Sequence, residues 1–193
     1  MERNSNKIVS SDNESLILVD KEDNEIGHLS KVECHKNEGV LHRAFSIFLF
    51  NDKGHLLIQK RSSQKKLWPL YWSNTCCSHP REGEDILDAA MRRLEDELGI
   101  NGIHLEYLYK FSYQASYKDI GSENEMCSVF IGSINGDVIF NKNEIESIRF
   151  IDCESLEQEM HLNSDYTPWF KMEWRAIKDK HSMELEKYIK AFL

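Results

Sequence analysis

No stretch of this 193-residue chain approaches the roughly 20 apolar side chains of a membrane-spanning helix, and the first dozen residues hold no apolar core of a secretory signal. Membrane insertion is therefore not expected. Basic residues are in the minority: 24 Lys and Arg face 33 Asp and Glu, for a net charge of -9. That balance disfavours a general nucleic-acid or anionic-membrane surface, yet leaves room for a small basic pocket. The cysteines are few, odd in number and irregularly placed. Cys34, Cys76, Cys77, Cys127 and Cys153 make no disulfide framework, which points to a reducing cytoplasm. The phosphate loop G-x-x-x-x-G-K-[ST], the dinucleotide fingerprint G-x-G-x-x-G and the nucleophile elbow G-x-S-x-G are also missing. Nucleoside triphosphate hydrolysis, dinucleotide binding and serine-triad chemistry thus have no anchor.

What is present suits one domain with one sizeable core, without repeats or an interdomain linker. Residues 1–14 are polar and expected to be loose and flexible, and residues 15–193 to form the domain. Leu16-Ile17-Leu18-Val19 reads as a strand. Residues 43–50 and 56–61 read as a hairpin around Asn51-Asp52-Lys53-Gly54. Residues 84–98 predict a helix with the stripe Leu87, Ala90, Met91, Leu94 and Leu98, ended by Gly99. Strands are expected at 104–111, 125–131, 137–140 and 146–151, then a short helix at 154–160 and a longer one at 168–192. The pattern is a mixed or antiparallel sheet with a central helix and C-terminal helices.

Two runs carry the candidate chemistry. In Cys77-Ser78-His79-Pro80 the thiol and the imidazole are two apart, so on an extended segment both face one pocket while Cys76 faces away; the same parity joins Glu123 and Glu125. With His35 and His42 they make a set of three imidazoles and two carboxylates suited to zinc or manganese rather than to a purely oxygen-ligated magnesium site. The bland alternative is surface histidines beside a solvated acidic turn. Cys77 is either a small buried hydrophobe or a proton carrier opposite Glu125. Lys31, Arg61, Lys65 and Arg93 are either solvated cations or an anion clamp. Trp174 packs a helix on the core or faces a transient cation, and Tyr113 is a strand aromatic or a hydroxyl donor to the same region.

From Leu16 to Trp174 the chain carries, in order, Gly27-x-x-x-Lys31, His35, Leu41-His42-x-Ala44-Phe45-Ser46, Lys65-x-x-Trp68-Pro69, Trp72-x-Asn74, Cys77-x-His79-Pro80, Arg92-Arg93, Glu97-Leu98-Gly99, Glu123-Asn124-Glu125-x-Cys127 and Thr167-Pro168-Trp169. In this it resembles the type I isopentenyl-diphosphate isomerases, metal-dependent enzymes of the Nudix fold. The resemblance implies an α+β fold, an α/β/α sandwich with a mixed sheet. It implies that His35, His42, His79, Glu123 and Glu125 hold one divalent metal (manganese, zinc or magnesium), that Cys77 and Glu125 are the catalytic pair, and that Trp174 and Tyr113 assist them. Lys31, Arg61, Lys65 and Arg93 would meet the diphosphate of a small prenyl substrate. Glu97, with the backbone carbonyl of Cys77, would help place a magnesium ion carried by that substrate, in a cytoplasmic monomer or homodimer. No redox cofactor is implied.

The general Nudix signature is degenerate here. Ala89 stands six residues after Gly83, Arg92 is followed by Arg93, and the later acidic pair is Asp96-Glu97. A Nudix pyrophosphohydrolase is therefore the alternative enzyme, and a noncatalytic diphosphate-binding protein the second alternative.

Overall fold

The structure is a computed structural model that describes residues 8–189. In chain order its elements are β1 (Ser15–Val19), β2 (Glu25–Ser30), α1 (Lys31–Cys34), β3 (His42–Phe50), β4 (Leu56–Arg61), β5 (Trp72–Ser73), β6 (Cys76–Ser78), α2 (Ile86–Leu98), β7 (Leu105–Tyr117), β8 (Gly121–Ser133), β9 (Ile145–Ile151), α3 (Cys153–Leu162), α4 (Pro168–Lys180) and α5 (Ser182–Ile189). β3 is the hub. Along one edge it runs parallel to β8 for nine residue pairs, from His42↔Glu125 to Phe50↔Ser133. Its other edge is shared out among β1 at His42, β6 at Phe45 to Ile47 and β4 at Phe50.

The expected hairpin is corrected by this arrangement. Its turn forms, with Asn51 Oδ1 accepting from the amides of Lys53 and His55. The strands then part after the single pair Phe50↔Leu56, and β4 turns to β9 and β5. Both strands are buried almost throughout, and such strands take neighbours on both edges. Alternation along β3 supplies two cores. Phe45, Ile47 and Leu49 pack with Ala90, Leu94 and Leu98 of α2, whereas Phe48 and Phe50 pack with Phe170, Trp174 and Ile177 of α4. Helices thus cover both faces of a mixed sheet, the expected α/β/α sandwich.

The central helix is built as its sequence predicts. The Asp85 side chain caps it by accepting from the amides of Leu87 and Asp88, and Gly99 ends it at φ 65°, in the left-handed region. Residues 137–140 form no strand. The amides of Ile139 and Asn141 instead bond the carbonyls of Leu98 and Glu97, which the helix end leaves without partners. The long C-terminal helix is two helices broken at His181, whose ring stacks on Tyr109 at 4.8 Å; the expected residues 190–192 lie outside the described residues. β2, α1, β5 and β6 have no strong periodicity and were not expected.

One close approach links the fold to the site. A Cβ at Gly121 would run into the carbonyl oxygen of His35, which already accepts from the amide of Ser122 at 3.0 Å. Gly121→Ala should therefore cost about 1–3 kcal/mol through backbone displacement, and denaturant titration of the variant checks it.

Candidate active site

His42 opens β3 and lies opposite Glu125 across the parallel pairing with β8. His35 ends α1 as its C-cap, and His79 follows the short strand β6. The three rings converge, with centroids 4.8 to 5.3 Å apart. Glu123 and Glu125 reach the same point from one face of β8. One ligand atom from each of the five residues lies within 4.8 Å of the others.

The hydrogen bonds behind the rings orient them. Nδ1–H of His35 donates to the carbonyl of Lys31 at 2.6 Å, and Nδ1–H of His42 to the carbonyl of Val40 at 2.7 Å. A carbonyl only accepts, so in each neutral ring Nε2 is the free lone pair. Both Nε2 atoms, and Glu123 Oε2, are buried without a hydrogen-bond partner. His35 Nε2 and Glu123 Oε2 face each other at 2.7 Å. Convergent imidazole lone pairs and carboxylate oxygens are a donor set that fits a divalent cation.

Burial, and then the neighbouring His35, bring His42 down to about 4. His79 is pushed well below its ordinary value by burial and by His42. The two carboxyls diverge. Burial and the charge of Glu123 push Glu125 well up, while His35 overcomes the upward push of burial and holds Glu123 well below the usual range.

Glu125 is also the link to the candidate chemistry. Its Oε1 lies 2.9 Å from His79 Nε2, and its Oε2 accepts from the hydroxyl of Tyr113 at 2.6 Å. Cys77 pairs with Ser46 of β3, and its parity is as the sequence predicts: Cys76 is buried in the core under α2, whereas Cys77 faces the site with His79. Burial pushes the Cys77 thiol up to about 12 against the opposing charge of Arg61, whose Nη1 lies 3.9 Å from Sγ.

Both groups open onto a cavity of about 770 Å³ that is also lined by Lys31, Arg61, Lys65 and Arg93. The four expected anion-clamp residues therefore open onto one cavity, and protein groups hold each of them. Arg61 donates to the carbonyls of Leu67 and Trp68. Arg93 donates to Glu97 Oε1 at 2.8 and 2.5 Å and to the carbonyl of Val9 at 2.6 Å. Lys65 pairs with Glu144, and Lys31 bonds the Ser10 hydroxyl. Burial, then Lys65 and Arg93, bring Lys31 down to about 8. Glu97 is buried against Arg93. Trp174 is buried in the apolar core with Tyr113, and the tryptophan on the cavity wall is Trp169.

Residues 40–170 match the NUDIX domain family. The chain is 44% identical over 170 residues to isopentenyl-diphosphate Delta-isomerase 1 of Photorhabdus laumondii, covering 87% of this chain and 97% of that protein. It is 39% identical over 176 residues to the isopentenyl-diphosphate Delta-isomerase of Serratia proteamaculans, covering 91% and 96%. The chain belongs to the type I isopentenyl-diphosphate isomerase family of Nudix-fold proteins. Among solved structures, DR0079 of Deinococcus radiodurans superposes with a TM-score of 0.71 at 22% identity, covering 84% of this chain and 98% of that one, which speaks for the fold alone.

For a member of the isopentenyl-diphosphate isomerase family, the residues that sequence reasoning passed over are instructive. Val9 and Ser10, from the segment expected to be loose, bond two cations of the wall, and Val9 is buried. Only their position across the cavity marks them. Glu173 of α4 is fully buried behind the site, with Oε1 3.5 Å from Cys127 Sγ and Oε2 unpartnered. A carboxylate beside an aromatic run was the signal. Burial pushes Glu173 up to about 8. With the folded value raised, its contribution to stability is fully present below the ordinary value near 4.5 and is lost as pH rises towards 8. Glu173→Gln should flatten the fall in melting temperature between pH 5 and pH 8, measured beside the unmodified chain.

Proposed function

We propose that the chain interconverts isopentenyl and dimethylallyl diphosphate, moving a carbon–carbon double bond by adding one proton and removing another. The observation that carries this reading is that Cys77 and the Tyr113-bonded Glu125 open onto one cavity that four cations also line. Protonating the terminal methylene of an unactivated alkene makes a tertiary carbocation, and losing a proton from the carbon on the diphosphate side gives the internal alkene. No atoms are lost and no redox partner is needed. The site must supply an acid and a base and exclude water.

Glu125, protonated in this burial, is the donor towards dimethylallyl diphosphate, and Cys77 is the acceptor; the roles reverse in the opposite direction. Arg61 is the cation that favours the thiolate of Cys77. Tyr113 fixes the orientation of the Glu125 carboxyl. Trp174, in the same aromatic cluster as Tyr113, is the ring set to stabilise the transient cation, and Trp169 adds a second ring at the cavity wall. Lys31, Arg61, Lys65 and Arg93 hold the diphosphate by charge-assisted bonds. His35, His42, His79, Glu123 and Glu125 would hold manganese, zinc or magnesium, whose positive charge would strengthen Glu125 as an acid. Glu97 and the Cys77 carbonyl help place the magnesium carried by the diphosphate. Residues 15–193 act as a single catalytic domain in the cytoplasm, as a monomer or homodimer.

The test is turnover of isopentenyl diphosphate with magnesium in deuterium oxide. Dimethylallyl diphosphate carrying solvent deuterium, with no phosphate released, is expected. Release of phosphate or of a prenyl monophosphate would instead establish the pyrophosphohydrolase, and binding without either product the noncatalytic protein. The degenerate signature at Ala89 and Arg93 favours the isomerase over the hydrolase.

A further inference from the structure

We propose that Glu144 is a specificity-determining residue, a carboxylate set into the cation wall so that the site takes a magnesium-complexed diphosphate in preference to the free one. The inference rests on the diphosphate reading above and deepens it. Glu144 is only 4% exposed yet lines the cavity. Its carboxylate pairs with Lys65 and lies 3.7 Å from Arg93 Nη2, the nitrogen that also donates to Glu97. Against the upward push of burial, Lys65 and Arg93 hold it ionised.

The carboxylate is fixed in place by its backbone. The amide of Glu144 donates to the carbonyl of Asn141, and its carbonyl accepts from the amide of Ser62, each at 3.0 Å, so the loop that carries Lys65 is tied to the strand end that carries Glu144. Glu144 is thus an acid among the cations Lys31, Arg61, Lys65 and Arg93, which line the same cavity. Free diphosphate oxygens on this wall meet a like charge at short range, which is unfavourable in a buried site. Magnesium turns that repulsion into attraction, because a carboxylate beside a metal-bound diphosphate faces a cation. An all-cationic wall would bind the free diphosphate more tightly and lose the distinction.

Calorimetric titration with inorganic pyrophosphate, with and without excess magnesium, tests this on the full chain. The unmodified protein should bind magnesium pyrophosphate more tightly. In E144Q the preference should shrink at least about tenfold, mainly because free pyrophosphate binds better. Equal weakening of both forms would mean that Glu144 only supports the loop, and would overturn the proposal. If E144Q does not fold, the double variant K65Q/E144Q removes both members of the ion pair and leaves the net charge unchanged. With no carboxylate at position 144 its magnesium preference should shrink as well, and a preference as large as that of the unmodified chain would overturn the proposal. If the unmodified protein binds neither form of pyrophosphate, the diphosphate reading itself falls.

Discussion

Glu125→Gln should lower turnover of isopentenyl diphosphate by roughly 10³-fold or more while leaving the fold intact, since general acid–base groups contribute roughly 10²- to 10⁴-fold and this one also belongs to the metal group. The glutamine is isosteric. Its amide oxygen can still accept from the Tyr113 hydroxyl, which lies 2.6 Å from the native Oε2, so the β7–β8 pairing around it is not disturbed. The variant loses the proton. Cys77→Ala should produce a loss of the same order, because it removes the other end of the transfer and leaves Arg61 and the cavity in place. Tyr113→Phe should cost much less, since it removes the orientation of the carboxyl and leaves its chemistry. Single-turnover product analysis of the three variants checks the order. Near-normal turnover in Glu125→Gln or Cys77→Ala would remove that residue from the catalytic pair.

How far the sequence alone reaches depends on whether a property is local. The parity that sends Cys76 into the core and Cys77 into the site is a property of one extended segment, and the register Ser46↔Cys77 realises it. The bounds of α2 follow from Asp85 and Gly99, which act within a few residues. The convergence of His42 with Glu125 is different. It comes from a parallel pairing between strands that lie 83 positions apart, and nothing inside either strand encodes that register. The parting of β3 from β4 was hidden for the same reason: periodicity tells which face is buried and not which neighbour takes each edge. Glu144 and Glu173 look like ordinary surface acids in the sequence, because what distinguishes them is burial by distant elements. The break at His181 has no proline or glycine to announce it; it coincides with a ring stacked on Tyr109 of β7.

Removal of the divalent cation by a chelator should abolish turnover and lower the melting temperature, and His79→Asn should reproduce most of both effects. Substitutions behind metal ligands already cost about 10- to 100-fold in affinity, so removal of a ligand should lie at or beyond the upper end of that range. A cation present at a hundredfold excess over its Kd stabilises the folded chain by about 2.7 kcal/mol, or about 5–10 °C for a domain of this size. The pH dependence has a definite sign. Metal binding competes with the proton that burial and Glu123 hold on Glu125 well above the usual range, and His35, also shifted up, must be neutral. Affinity should therefore rise with pH across the neutral range, because each binding event releases protons. His42 and His79 oppose this only in acid, being held neutral down to about 4 or below. In the metal-free chain those two rings contribute stability that is present above the ordinary histidine value near 6.5 and is lost as pH falls towards 4. Titration of the stripped protein with manganese, zinc and magnesium at pH 6 and pH 8, read by melting temperature, checks both halves. Equal affinity at the two pH values would show that neither Glu125 nor His35 has to lose a proton for the cation to bind.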